Sequence, residues 1–198
     1  MHPALLHKLA QRCALAALCA ATLAACAGMS TRDEVAAAER LQVPHFELDG
    51  RLSASAGERA ASGQLSWEQR SDGARWTVYT PLGQIAARVD QDARGAVLTQ
   101  ADGRQYHAAS AAELLPAVLG IEVPVDRLAG WVQATPHAAA EVRQRDASGR
   151  PLVVIDSGWR IDYPAYASPA PDAPPRRILV QRGDAQLRLV IDEWRPAP

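Results

Sequence analysis

Beyond residue 26 this 198-residue chain contains no cysteine. Its thiols, Cys13, Cys19 and Cys26, all lie near the N-terminus, so no disulfide staples the body of the chain. Redox and cysteine-nucleophile chemistry are excluded there for the same reason. A membrane span is missing too. The apolar run Cys13–Ala25 is 13 residues long, short of the ~20 that a helix needs to cross a ~30 Å hydrocarbon core. Clustered positive charge is also scarce. Lys8 is the only lysine, and Arg176-Arg177 is the only adjacent basic pair, so no basic stripe offers itself to nucleic acid. Catalytic motifs are absent: there is no G-x-S-x-G, H-E-x-x-H, Walker loop or C-x-x-C. His45, His107 and His137 stand far apart, Pro124 interrupts the Glu122/Asp126 spacing, and Asp192 and Glu193 point to opposite faces of a strand. The residues predict a protein that is not an enzyme and holds no metal or cofactor.

What is present begins with a targeting segment. Lys8 and Arg12 precede the short apolar run, which ends in Leu23-Ala24-Ala25-Cys26. A basic start, a short apolar middle and small residues before a cut make a secretory signal. L-A-A-C resembles the lipobox of bacterial lipoproteins, in which the cysteine thiol takes a diacylglyceryl group and the chain is cut just before it. Residues 1–25 are therefore expected to be removed, and 26–44 to be a lipidated start and tether, with a short helix possible at Thr31–Leu41. With Lys8 and Arg12 gone, 19 arginines face 22 acids, a net charge of −3 over 173 residues. That length suffices for one domain with a true core.

From Phe46 the apolar residues recur every second position, the signal of half-buried strands. Phe46, Leu48, Gly50, Leu52 and Ala54 share one face. Leu65 and Trp67 follow, then Trp76 and Val78, then Ile85, Ala87 and Val89, then Val97 with its neighbours. Ser71-Asp72-Gly73, Ala101-Asp102-Gly103, Ser148-Gly149 and Arg182-Gly183-Asp184 read as hairpin turns, where glycine supplies a positive φ. Between the two runs of strands, Ser110-Ala111-Ala112-Glu113 reads as a capping box. It opens a helix with Leu114, Leu115, Val118 and Leu119, interrupted by Pro116 and stopped by Gly120. A second helical stretch after Pro124 carries Leu128, Trp131 and Val132 and closes by Pro136. Strands resume at 141–145, 152–156, 159–163, 178–181 and 187–194, with Pro164–Pro175 expected as a loop.

About five strands, two short helices and about five more strands predict a mainly β fold. One curved antiparallel sheet, an open half-barrel, would carry a helical lid over an apolar cavity. The cavity would be lined by aliphatic side chains and tryptophan, since aromatics make up only 5% of the chain and phenylalanine occurs once.

The ordered set Gly50-Arg51-Leu52, Gly63 through Trp67, Pro81-Leu82-Gly83, Leu119-Gly120, Pro124, Leu128, Trp131, Gly158-Trp159, Tyr163 and Trp194 resembles the outer-membrane lipoprotein LolB family across residues 45–195. One departure is Ala134, where that family usually has glycine two residues before the proline. The resemblance implies a monomeric receptor on the periplasmic side of a Gram-negative outer membrane. It would take lipoproteins from a LolA-like periplasmic carrier chaperone and insert them into the inner leaflet. It implies acyl-chain contacts at Leu65, Trp67, Trp76 and Val78, a lid at Leu115, Leu119, Leu128 and Trp131, and a membrane-insertion loop at Pro81, Leu82 and Gly83. Ala27, after the lipidated Cys26, would permit outer-membrane sorting. The competing reading is a lipid-anchored structural or assembly protein that binds a partner without acyl transfer. A hydrolase of unrecognised type is a third class, without residues to support it.

Cys26→Ala is expected to block lipid attachment and leave the precursor, or a protein held by its uncut signal. Mass spectrometry of the mature N-terminus checks this; a cut elsewhere with Cys26 unmodified overturns it.

Overall fold

The computed structural model describes residues 37, 38 and 40–197; Cys26, Ala27 and the signal segment lie outside them. Six strands come first: β1 (Phe46–Ala56), β2 (Arg59–Arg70), β3 (Gly73–Tyr79), β4 (Ile85–Asp92), β5 (Gly95–Gln100) and β6 (Gln105–Ala108). Two helices follow, α1 (Ala111–Leu119) and α2 (Val125–Gln133). Five strands complete the chain: β7 (Glu141–Arg145), β8 (Pro151–Asp156), β9 (Trp159–Tyr166), β10 (Pro175–Arg182) and β11 (Ala185–Pro196). All eleven form one antiparallel sheet in the order β6-β5-β4-β3-β2-β1-β11-β10-β9-β8-β7. Among the described residues no helix is long and apolar enough to cross a membrane.

The order explains the lid. β1 pairs with β11, so the first and last strands meet in mid-sheet and β6 and β7 become opposite edges. The segment joining those edges has to traverse a face of the sheet, and it carries both helices. The face it crosses is the apolar one. Phe46, Leu48, Leu52 and Ala54 of β1 are buried there with Leu65, Trp67, Trp76, Val89, Leu187, Leu189 and Ile191. Ala111, Leu114, Leu115 and Leu119 of α1, and Leu128, Trp131 and Val132 of α2, complete one cluster with them.

Several sequence-based expectations shift in register or in cause. In β5 the buried residues are Ala96 and Leu98, so Val97 lies on the opposite face. Ile85 stands 39% exposed at the start of β4, beyond the covered part of the face. Gly73 does not take a positive φ. It begins β3, where a Cβ would stand 2.0 Å from the Gln91 carbonyl oxygen, so close backbone approach is what requires glycine. The capping box at Ser110 does not form: its side chain caps nothing. Gln91 of β4 performs the task, its Oε1 accepting from the Ala111 N–H at 2.7 Å, a partner 20 residues away that local sequence could not name. Gly120 ends α1 with φ 72°, as expected.

α2 ends at Gln133, and Ala134 takes the left-handed conformation, φ 51° and ψ 39°. This is the position where glycine would be free of strain. Strands also run into the expected Pro164–Pro175 loop from both sides, leaving 167–174 outside them. Pro164 is tolerated in β9 because pairing with β8 ends at Asp162, so no ladder hydrogen bond is forfeited on that side. Of Thr31–Leu41, residues 37, 38, 40 and 41 are described, and none is helical.

The β1–β11 seam is tight. Its register shifts between Asp49 and Gly50, and a Cβ on Gly50 would sit 2.4 Å from the Val190 carbonyl oxygen. Gly50→Ala is therefore expected to destabilise the fold by ~1–3 kcal/mol, the usual cost of overpacking. Chemical denaturation measures it, and an unchanged midpoint would mean that the seam can slide.

Candidate functional site

The four residues assigned to an acyl-chain wall come together on the inner face. Leu65 pairs with Val78 and Trp67 with Trp76 across β2 and β3. The two tryptophan rings lie 5.7 Å apart, tilted by 39°. Phe46 packs edge-on against Trp67 at 5.1 Å and stacks on Trp194 at 4.5 Å. Leu115, Leu119, Leu128 and Trp131 are all buried against this face. The expected wall and lid thus share one apolar cluster, with the lid lying down on the sheet. Leu65, Trp67 and Trp76 are buried in it, and Val78 is partly buried against it.

The two halves of the lid are held differently. α2 is pinned by polar contacts. The Trp131 indole Nε1 donates to Asp156 Oδ2 at 2.9 Å, with both side chains buried, and Ser157 Oγ donates to the other oxygen of that carboxyl. The Tyr163 hydroxyl donates to the Trp131 carbonyl at 3.0 Å. Gln133, buried at the end of α2, accepts from the Val43 N–H at 2.7 Å and donates to the Val43 carbonyl at 3.1 Å. Arg40 donates to the carbonyls of Gln133, Pro171 and Ala173 at 2.7–2.9 Å. α1, by contrast, meets β2, β4, β5 and β6 through Ala111, Leu114, Leu115 and Leu119, with the Gln91 cap at its first N–H.

A cluster of rings and guanidinium groups backs α2. Arg150 lies 4.3 Å over the Tyr166 ring and Arg40 5.4 Å from it. Arg150 also pairs with Asp146 at 2.7 Å and donates to the Ser168 and Ala170 carbonyls. Between them the two arginines hold loop 167–174 by four of its carbonyls. The Tyr166 hydroxyl donates to the Pro151 carbonyl. Burial pushes the Tyr166 phenol up to about 12, against the opposing pull of Arg40 and Arg150. Burial likewise holds Tyr163 far above the ordinary phenol range and lowers the Arg40 guanidinium. At neutral pH both phenols remain neutral donors. The final part of the expected tether is therefore docked on the domain through Arg40 and Val43, with Ala38 N–H donating to the Gly149 carbonyl.

Sequence reasoning missed Arg40, Gln133, Asp156 and the Tyr163 bond. Their partners lie up to 133 residues away, and Asp156 beside Ser157-Gly158 reads simply as a turn. A groove on the sheet also went unread. It has a volume of about 690 Å³ and lies on the opposite, polar face, among Glu68, Arg75, Asp90, Thr99, Gln105 and His107. Its charges neutralise one another: Arg75 pairs with Asp90 and Glu68, and Arg94 with Asp92.

The loop between β3 and β4 brings Pro81, Leu82 and Gly83 to a tip. Gly83 N–H donates to the Thr80 carbonyl at 2.9 Å and Thr80 N–H to the Gln84 carbonyl at 2.8 Å. Gly83 takes φ 78°, and a Cβ there would meet nothing within 4 Å. Leu82 is 88% exposed. The backbone bonds close the tip on itself and turn its apolar side chain outward.

Comparison with known proteins speaks to the family and the fold. The sequence model of a family described as "Outer membrane lipoprotein LolB" matches residues 44–194. The outer-membrane lipoprotein LolB of Azoarcus sp. (strain BH72) is 49% identical over 181 residues, covering 91% of this chain and 93% of that protein. That of Thiobacillus denitrificans is 34% identical over 154 residues, covering 77% and 81%. Among solved structures, a LolA superfamily protein from Nitrosomonas europaea shares the fold. Its TM-score is 0.50 at 8% identity, covering 84% of this chain and 90% of that one.

The unequal anchoring makes a testable difference. Local opening follows the density of stabilising contacts, so amides of α1 are expected to exchange hydrogen faster than those of α2. Trp131→Phe leaves the buried Asp156 carboxyl short of one donor and should cost ~1–3 kcal/mol. Hydrogen exchange should then show α2 opening as readily as α1; unchanged exchange in α2 would show that the Trp131–Asp156 bond does not pin it.

Proposed function

The chain belongs to the outer-membrane lipoprotein LolB family, and on that premise we propose that it is a receptor anchored to the outer membrane. It accepts lipoproteins from a LolA-like periplasmic carrier and inserts them into that membrane. The observation that carries this reading is the broad apolar interface between the inner face of the sheet and a lid of which one half is held, among the described residues, by a single side-chain hydrogen bond, the Gln91 cap. Acyl chains arriving from a carrier replace α1 against Leu65, Trp67, Trp76 and Val78, while α2 stays in place as a wall. No covalent step is involved.

The energetics favour such a relay. Each buried methylene contributes ~0.8 kcal/mol, so two or three acyl chains amount to tens of kcal/mol. Release of those chains into water is prohibitively slow without an energy source. Passage from one apolar interior to the next and then into the bilayer avoids the exposed state. Anchoring through Cys26, with Ala27 after it, keeps the receptor at the destination membrane and leaves the domain on its periplasmic side.

Leu82 serves the last step. A leucine gains up to ~1.5–3 kcal/mol on full burial, whereas a carboxylate entering lipid is strongly opposed. Because Leu82 projects from the surface, Leu82→Glu should change stability by no more than ~0.5 kcal/mol. The mutant is expected to load from the carrier normally and to deliver to liposomes poorly. Separate assays of carrier-to-receptor and receptor-to-liposome transfer test this. Normal delivery would reduce the tip to a turn, and failure to load would place Leu82 in carrier contact instead.

A further inference from the structure

Two tryptophans of the inner face, Trp67 and Trp76, pack against each other at a tilt but differ in their polar atoms. The Trp67 Nε1 donates to Gln69 Oε1 at 3.3 Å. The Trp76 Nε1 is buried and has no hydrogen-bond partner among the described residues, in a residue only 6% exposed. A buried donor left unmade costs free energy that an apolar ring in its place would not. The sequence nevertheless places an indole here, in an apolar wall shared with Leu65, Trp67 and Val78.

Its position in the fold says what uncovers it. Trp76 stands on β3 in register with Trp67 of β2 and Val89 of β4. α1 packs on β2 to one side of β3 and on β4 and β5 to the other, so it passes over the inner face of β3. This is the half of the lid whose one side-chain pin among the described residues is the Gln91 cap. Trp159 also has an unpartnered Nε1, but it stands on β9 close to the pinned Trp131, rings 6.2 Å apart, with the Arg182 guanidinium 4.4 Å over its own ring.

The ligand that enters beneath α1 brings an unmet need of the opposite kind. An acyl chain of a lipoprotein ends in a carbonyl, and a diacylglyceryl group carries two ester carbonyls. Drawn into an apolar interior, such an oxygen loses its water and requires a donor. We propose that the Trp76 indole N–H is the donor that binds the ester carbonyl at the head of an incoming acyl chain, fixing how deeply the chain sits. The proposal rests on the acyl-binding reading above. It adds that the interior distinguishes an ester from a plain hydrocarbon chain, and names the atom that does so.

A matched pair of probes tests it: a 1-O-acylglycerol and the 1-O-alkylglycerol of equal chain length, which lacks the carbonyl. The full-length protein is held in nanodiscs of ether-linked phospholipid, so that the discs supply no ester. Wild type is expected to bind the ester about three- to tenfold more tightly than the ether, the worth of one neutral hydrogen bond. Trp76→Phe should lose that preference, its affinities for ester and ether becoming equal whatever the change does to both. In the unmutated protein, with tryptophan labelled with ¹⁵N, the Trp76 indole proton should move downfield with the ester and not with the ether. This second readout holds even where the mutant folds poorly. A preference retained by Trp76→Phe, or an indole signal that ignores the ester, overturns the donor role. Binding of neither probe by wild type overturns the acyl-binding reading itself, and the donor role with it.

Discussion

The pairing of β1 with β11 brings the two ends of the described chain together in the middle of the sheet and leaves β6 and β7 as its opposite edges. Everything above the sheet follows from that arrangement. An antiparallel meander needs only hairpins between neighbours, but one connection has to travel from edge to edge. Its shortest stable route lies across the apolar face, because the leucines of α1 and α2 gain burial there and the face itself requires cover in water. The lid is thus a consequence of strand order, and the tightness at Gly50 protects the seam on which that order depends.

A lid made this way is held by the same kind of contact that its ligand would make. Burying the three leucines of α1 is worth roughly 5–9 kcal/mol at ~1.5–3 kcal/mol each. One acyl chain of about 14 methylenes, at ~0.8 kcal/mol each, is worth ~11 kcal/mol. A chain that took the place of α1 would therefore restore burial of the same order as the burial it displaced. Had α1 been fixed by buried hydrogen bonds like those of α2, each would have to be broken without compensation from a hydrocarbon ligand.

The sequence made the periodic part of this legible. Alternation from Phe46 to Ala54 showed which face is apolar, the short helices fell close to where Gly120 and Pro124 placed them, and Leu82 read as an exposed tip between proline and glycine. What stayed hidden depended on distance in the chain. The cap of α1 comes from Gln91, the pin of Trp131 from Asp156, and the grip on Gln133 from Val43 and Arg40; none of these pairs leaves a local pattern. The parity of β5 was misread because Val97 is apolar yet faces outward, while small Ala96 does the burying. Alternation also identifies an apolar face without saying whether a helix lies on it. The closed lid could be seen only in three dimensions.

The seam divides the molecule by role as well as by topology. The contacts that immobilise belong to the C-terminal half: Asp156, Tyr163, the loop carbonyls held by Arg40 and Arg150, and α2 packed on β10. The docked end of the tether joins the same half through Arg40 and Val43, using guanidinium forks that lysine could not supply. The N-terminal half carries α1 with its purely apolar face, Trp76 beneath it, and Leu82 on the loop that leaves the same strand as Trp76. The path from the unpartnered indole to the exposed tip therefore runs along β3 alone, from Trp76 to Tyr79 and on to Leu82. Under the function proposed above, the pinned half would hold the domain in place while the other half opens, and β3 would link the interior beneath α1 to the tip at Leu82.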